Sequence, residues 1–383
     1  MNPRLKPSDR IVVRKDGLEA LLTSLKANGR RLVGPTIRDG AIVFDDIDGV
    51  SDLPAGWTQE QEAGIYRITR RDDSALFGYV VGPESLKKFL FVPRLRVLSL
   101  ARQGKSFEVA APPGGAEPPR LAVLGARPCD LAAAEIQDRV FMGQGFTDPD
   151  YKARRERLFV IAVNCGQADH TCFCVSMGTG PRATKGYDLA LTEIVAPEHR
   201  FVIEVGTEAG AEALERLKAP PAADKDLKAA AAASAHAARQ MGRTLETGGL
   251  RDLLCRNLEH PRWNDVAKRC LACANCTLVC PTCFCSTIED TTDLTGTKAF
   301  RDRRWDSCFT LGHTYVHWGG VRTTIRARYR QWLVHKMAWW KDQFGVTGCV
   351  GCGRCIAWCP AGIDVTWEIA AIDATDGAEE GGR

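Results

Sequence analysis

Cys270-Leu271-Ala272-Cys273-Ala274-Asn275-Cys276-Thr277-Leu278-Val279-Cys280-Pro281 decides how this chain is read. Cys349-Val350-Gly351-Cys352-Gly353-Arg354-Cys355-Ile356-Ala357-Trp358-Cys359-Pro360 repeats it. Both follow C-x2-C-x2-C-x3-C-P, the bacterial spacing for a [4Fe–4S] cube. Three closely spaced thiolates wrap one cube from a short loop, and the fourth, just before proline, is carried off to ligate the other cube. That crossing needs two runs, and two are present. It assigns Cys270, Cys273, Cys276 and Cys359 to one cluster and Cys349, Cys352, Cys355 and Cys280 to the other. Zinc is the competing reading, because C-x2-C pairs also bind zinc; four cysteines per run, each run ending in proline, fit it poorly.

The chain around these runs has 383 residues, too many for a ferredoxin alone, and suggests two or three domains. A hydrophobic content of 45% is enough for a packed core, while a formal charge of +4 is too mild to imply nucleic acid or a membrane surface. Met1 to Gly17 is charged and lacks the apolar region of a secretory signal. No run approaches the roughly 18 apolar residues of a membrane span. Without an export signal, the 16 cysteines read as metal ligands rather than disulfides, in a soluble cytoplasmic protein.

Upstream, residues 1–220 read as a mixed α/β domain. Leu18–Lys26 predicts a helix; Ala41–Phe44, Tyr66–Thr69 and Phe77–Val81 predict strands, punctuated by Gly and Pro. No G-x-G-x-x-G turn and no P-loop is present, so a flavin or nicotinamide site in this chain is unsupported. After a Pro/Gly-rich loop at 111–120, Leu121–Gly125 predicts a buried strand and Asp130–Asp138 a helix, with Arg127-Pro128-Cys129-Asp130 between them. A cysteine at a strand-to-helix junction sits where backbone N–H groups stabilise negative charge. The next strand, Leu158–Val163, ends at Asn164-Cys165, and Thr171-Cys172-Phe173-Cys174 follows. Cys129, Cys165, Cys172 and Cys174 thus fall on loops at the ends of consecutive elements, where ligand sites gather. They are candidates for a third iron–sulfur cluster; scattered buried cysteines are the plain alternative.

Leu189–Ile194 and Phe201–Val205 predict further strands, and residues 221–249 an Ala-rich helical connector. Residues 250–372 read as a helical two-cluster ferredoxin-like domain, and 373–383 as a polar tail, giving an α+β chain. Directly after the first run comes Thr282-Cys283-Phe284-Cys285, echoing the earlier T-C-F-C, and then Trp305-Asp306-Ser307-Cys308. These three further cysteines read either as additional ligands or as apolar packing beside the cubes. Cys255 has no partner at ligand spacing. His236 reads as a helix-surface residue, and His313 and His317, four apart and so on one face if the segment is a helix, as structural or surface groups. The segment Arg322–Lys341 interleaves Arg326, Arg328, Arg330 and Lys336 with Tyr329, Trp332, Trp339 and Trp340. In isolation that pattern suggests nucleic-acid binding. Cations beside anionic thiolate-ligated cubes are the simpler cause.

The whole resembles the β subunit of soluble hydrogenase/sulfur reductase (sulfhydrogenase) complexes, and is similar to the A subunit of anaerobic sulfite reductase in the same 4Fe–4S dicluster family. The resemblance rests on F-G-Y-V-V-G-P at 77–83, R-P-C-D at 127–130, T-C-F-C at 171–174, the first run continuing into P-T-C-F-C, R-R-W-D-S-C at 303–308 and G-C-V-G-C-G-R-C at 348–355. The cluster motifs alone are specific only for ferredoxin chemistry. What the resemblance implies is an electron wire without an active site of its own. It would carry single electrons between a flavin/NAD(P)H-binding subunit, which holds FAD, and the small and large subunits of a [NiFe] hydrogenase. In the sulfite reductase case the catalytic partner is a sirohaem subunit. No nucleic acid and no membrane are implied. A self-contained flavin or sulfur reductase, with Cys129 doing chemistry, is the rival from another class.

Overall fold

The computed structural model describes residues 5–110, 117–143 and 145–377; part of the Pro/Gly-rich loop (111–116) and the end of the tail (378–383) lie outside the described residues. Its strands are β1 (Arg10–Val13), β2 (Arg31–Arg38), β3 (Ala41–Asp46), β4 (Trp57–Glu62), β5 (Ile65–Arg70), β6 (Arg94–Gln103) and β7 (Ser106–Ala110). They continue as β8 (Leu121–Ala126), β9 (Phe159–Val163), β10 (Leu189–Ile194), β11 (Arg200–Val205), β12 (Ser286–Thr292) and β13 (Lys298–Trp305), with a minimal pair β14 (Tyr315–Val316) and β15 (Gly319–Gly320).

Seven strands form the main sheet in the order β1-β11-β10-β9-β8-β2-β3. The four from β10 to β2 run parallel, and β11, β1 and β3 join antiparallel. Every residue of β8 and β9 is buried, as central parallel strands covered on both faces require. The helix Lys15–Ala27 buries Leu18, Leu21, Leu22 and Leu25 at i, i+3, i+4 and i+7 spacing, the stripe that packs on a core. On the other face the helix Pro128–Met142 contributes Leu131 and Ala134 to a separate apolar cluster. The Ala-rich helix Asp224–Arg239 packs along β10 and β11 rather than on the cysteine runs, and His236 stands exposed on it.

The cysteine runs sit among the helices Leu250–Arg256, Arg262–Arg269, Ile325–Val334 and Val365–Ala374, around a core that includes Trp263, Phe309, Tyr329, Trp332, Ile356 and Ile369. The helix from Ile325 widens into a π-type stretch at His335–Trp339 before ending at Phe344. Such stretches recur at functional sites, and this one turns Lys336 inward. The molecule is therefore a mixed α/β chain carrying a C-terminal dicluster region.

Three sequence expectations need correction. Phe77–Val81 is not a strand. It is a buried irregular segment whose backbone is satisfied by side chains: Glu193 accepts from Phe77 N–H, Gln59 from Val80 N–H, and Arg127 donates to the carbonyls of Phe77 and Tyr79. With the polar groups met this way, a ladder is unnecessary. The interval between the runs is not wholly helical, because β12 and β13 form a hairpin paired with β6 and β7 in a four-stranded sheet. That sheet draws strands from both sides of residue 220. His313 and His317 do not share a helix face; His313 lies on a short 3-10 turn and His317 beyond it in left-handed backbone.

Candidate iron–sulfur sites

The first run leaves the helix Arg262–Arg269 at Cys270, whose N–H still donates to Val266 O. Ala272 and Ala274 then take positive φ, 51° and 68°, which folds the loop back so that its thiols face one way. The second run has the same kinks at the matching positions, as Gly351 (64°) and Gly353 (75°). In both loops the residue two beyond the first cysteine donates its N–H to that sulfur at 3.4 Å: Ala272 to Cys270 and Gly351 to Cys349. Ile363 N–H reaches Cys359 Sγ at the same distance. N–H groups on sulfur are one of the means by which a protein sets cluster potential.

Cys270, Cys273, Cys276 and Cys359 line one cavity, walled by Phe309, Tyr329 and Trp332, and Cys355 of the second run opens into it as well. Asn275 Nδ2 donates to Trp358 O at 2.8 Å, which fastens the first loop to the segment that brings Cys359 across. In this wall burial, reinforced by the neighbouring thiolates, pushes the Cys276 thiol well above its usual range; Cys270 is also raised. Sulfurs so placed become anionic only when a cation binds them, and a coordinated metal deprotonates its thiols outright. Among the described residues no three His, Cys, Asp or Glu side chains close on a point that a single ion would fill. The donors are all sulfur and spread around a cavity, which suits a cube.

Cys349, Cys352, Cys355 and Cys280 form the second group. Each of the first three feels Cys280 electrostatically, and Cys355 feels all three others. Burial pushes Cys349 up to about 12. The group has its own cation. Lys336 Nζ, fully enclosed, donates to Cys280 Sγ at 3.3 Å, Thr282 Oγ1 at 3.0 Å and Gly348 O at 2.9 Å. Burial alone would discharge this amine, but the neighbouring sulfurs of Cys280, Cys283 and Cys349 more than offset it and hold it charged. Lys87 lies on the same side, donating to Leu278 O at 2.8 Å over the Trp305 ring. Arg354 runs the other way, to Gly82 O, Glu84 O and a buried ion pair with Asp130 at 2.8 Å.

Cys129, Cys165, Cys172 and Cys174 come together beyond the carboxyl ends of β8 and β9. Cys174 feels Cys165, Cys172 and Cys352, and Cys129 feels Cys352 and Cys174, so the set lies against the second loop. Burial raises all four thiols, Cys172 to about 12. Phe173 N–H donates to Gly351 O at 2.9 Å and locks the T-C-F-C loop to the second run. Arg127, 2% exposed, stands beside Cys165 and Cys129, and its charge and a hydrogen bond oppose the effect of burial on the Cys165 thiol.

Sequence reasoning missed several side chains. Lys336 was visible only as one cation in a basic, aromatic stretch, and Lys87 and the Arg354–Asp130 pair gave no signal. The aromatics of that stretch are largely internal, Tyr329, Trp332 and Trp340 being buried, while Arg326 and Arg330 pair with Glu259. Cys283 lies against Cys280, whose thiol is held well below its usual range by that hydrogen bond, against burial, with help from Lys336. Cys285 meets Cys308 and His313 in a pocket that Cys283 and Lys336 also line. Cys255 sits apart, on the helix Leu250–Arg256.

Two cysteine loops of matching C-x2-C-x2-C-x3-C-P spacing, packed against one helical core, are the arrangement of an iron–sulfur dicluster protein. Residues 269–363 match the family described as a 4Fe-4S dicluster domain. The chain is similar to Sulfhydrogenase 2 subunit beta from Pyrococcus furiosus, 29% identical over 337 residues that cover 87% of this chain and 90% of that protein. It is an iron–sulfur electron-transfer subunit with two [4Fe–4S] clusters. No helix among the described residues is long and apolar enough to cross a membrane.

Proposed function

We propose that this chain relays single electrons between a flavin/NAD(P)H-binding subunit carrying FAD and the small and large subunits of a [NiFe] hydrogenase, as the β-type subunit of a sulfhydrogenase. The observation that carries the reading is the cavity shared by Cys270, Cys273, Cys276 and Cys359, into which Cys355 of the second group also opens beside Cys276. Cubes held this way supply reversible one-electron capacity. The chain's own part is to exclude water, aim N–H groups at sulfur, and place Lys336 where it favours the more negative, reduced state. Cys129, Cys165, Cys172 and Cys174, with Arg127, hold a third iron–sulfur cluster beside the second, which extends the relay into the α/β half.

Anaerobic purification with its native partners tests both parts. Co-purifying [NiFe] and flavoprotein subunits support the assignment; a sirohaem subunit instead moves the chain to an anaerobic sulfite reductase. Three cubes require about twelve iron and twelve sulfide per chain, falling by about four of each in Cys172→Ser/Cys174→Ser. About eight of each in the unaltered chain eliminates the third cluster while leaving the two-cluster relay standing.

A further inference from the structure

Tyr329 has a hydroxyl for which the packing of the fold provides no partner. The residue lies on the helix Ile325–Val334, and its neighbours in sequence fasten that helix. Arg328 Nη1 donates to Phe309 O at 2.7 Å, and Arg330 Nη1 to Leu258 O at 2.6 Å. Three aromatic rings fix the position of the phenol, with centroids 5.4 Å away at Trp332, 6.2 Å at Phe309 and 6.4 Å at Trp263. Tyr329 is 2% exposed, and its Oη has no hydrogen-bond partner among the described residues. Other polar groups of this core are met: Trp263 Nε1 donates to Asn257 O at 2.8 Å, and Thr277 Oγ1 to Ala274 O at 2.8 Å. A buried donor left without an acceptor is costly, and native structures hold few of them.

The surroundings of that hydroxyl are rich in sulfur. Tyr329 lines the cavity of Cys270, Cys273, Cys276 and Cys359, into which Cys355 also opens. Cys276, Cys355 and Cys270 all act on the phenol electrostatically. Burial, with Glu368 and these sulfurs acting the same way, holds the phenol well above its usual range. It therefore keeps its proton and remains a donor. The oxygens of Glu368 are engaged elsewhere, each by an arginine at 2.6 Å, Arg262 and Arg269. The acceptor that suits the hydroxyl is thus an anionic sulfur in the cavity.

We propose that the Tyr329 hydroxyl is a hydrogen-bond donor reserved for a sulfur of the first [4Fe–4S] cluster, and that this bond raises the cluster's reduction potential. The proposal rests on the two-cluster reading of the chain. Reduction adds one negative charge to the cube, and a donor at its sulfur stabilises the more negative state more strongly. The second cluster has Lys336 in the corresponding role, with a full positive charge on Cys280. A neutral phenol does less than a buried cation. Tyr329 therefore makes the electron's inward step from the first cluster to the second shallower without reversing it, which eases transfer in both directions.

Tyr329→Phe removes only the oxygen and keeps the ring. The test is a redox titration of the loaded, anaerobically purified complex, resolved spectroscopically into the two clusters, with iron and sulfide measured on the same samples. At a fixed solution potential, the ratio of reduced to oxidised first cluster should fall about tenfold, which is 59 mV for a one-electron couple. The second cluster should move much less, and iron and sulfide content should not change. The reduced first cluster should also lose the magnetic coupling to one exchangeable proton that the unaltered protein shows before transfer to heavy water. Replacing Tyr329 by 3,5-difluorotyrosine, a stronger donor of similar shape, should shift the potential the opposite way, a reversal that altered packing does not produce. An unmoved first-cluster potential at full iron content overturns the proposal. So does an equal shift of both clusters, or a loss of iron in Tyr329→Phe, which makes the residue a structural support. Fewer than about eight iron per chain in the unaltered protein defeats the two-cluster reading itself, and the proposal with it.

Discussion

The two cysteine runs have the same spacing and the same left-handed kinks, yet they differ at nearly every non-cysteine position, and the differences track their surroundings. At the second kink the first loop has Ala274 and the second has Gly353. A Cβ on Gly353 would lie 2.4 Å from Thr171 O, and one on Gly351 2.6 Å from the Phe173 backbone. The first loop meets no such wall: Cys273 is exposed and Leu271 is 66% exposed. The next residue is Asn275 in one loop and Arg354 in the other. Asn275 reaches only the neighbouring loop, whereas Arg354 anchors the second loop to the α/β half through Gly82, Glu84 and Asp130. One loop is an outer terminal and the other is built into the middle of the molecule. Two equivalent motifs thus become the two ends of a directed path through what packs on them.

The Arg354–Asp130 pair gives the largest expected effect. Asp130→Asn keeps an acceptor for the Arg127 N–H that Asp130 now takes at 3.0 Å, but it leaves Arg354 charged and buried. Stability should fall by about 3–5 kcal/mol, read as a lowered denaturation midpoint of the loaded protein. Adding Arg354→Met should recover much of that loss, because an apolar pair replaces an ionic one at little net cost. Asn275→Ala at the matching position of the first loop should cost about 1 kcal/mol, one net hydrogen bond. Equal losses at the two positions would remove the distinction between an anchored and a free loop.

Much of this was legible in the cysteines alone, because spacing is a local property and iron ligation depends on it directly. The buried strands β8, β9, β10 and β11 were equally plain, each being a short apolar run. What escaped was non-local. Ser286–Thr292 and Lys298–Trp305 are polar and largely solvent-facing; they pair with each other, and the second of them pairs with β6, about two hundred residues upstream. Phe77–Val81 has strand-like composition, but side chains from Gln59, Arg127 and Glu193 take its backbone bonds. Cys285 and His313 meet only because the hairpin closes, so no spacing in the sequence announces them.

The glycines come next in magnitude. Gly353→Ala forces a side chain into left-handed backbone, a strain of about 1–2 kcal/mol, and against the Thr171 carbonyl, so a total near 2–4 kcal/mol is expected. Because the wall it strikes is the T-C-F-C loop, the damage should extend to Cys172 and Cys174, visible as faster alkylation of both thiols. Ala274→Gly makes the opposite exchange in the open loop. Relief of strain and added freedom of the unfolded chain nearly cancel there, and the change should stay within about 1 kcal/mol. A large gain from Ala274→Gly would mean that the first loop is strained in a way its surroundings do not show.

The smallest effect is electrostatic, and it separates the clusters by function rather than stability. Lys336 touches Cys280 directly, whereas in the first group Arg328 acts on Cys270 only through space. Removing a unit charge a few ångströms from a buried one-electron centre changes its reduction free energy by a few kcal/mol at an effective dielectric near 20. After relaxation this leaves a fall on the order of 100 mV. Lys336→Met retains the volume and should lower the potential of the second cluster by that amount while leaving the first nearly unmoved, as read by a redox titration that resolves the two spectroscopically. Since loss of the cation makes reduction of the inner cluster harder, electrons should dwell on the outer one, and transfer through the chain should slow in both directions. A shift shared equally by both clusters would show that the field of Lys336 spreads across the domain, and the path would then lack the inward bias that the two loops impose.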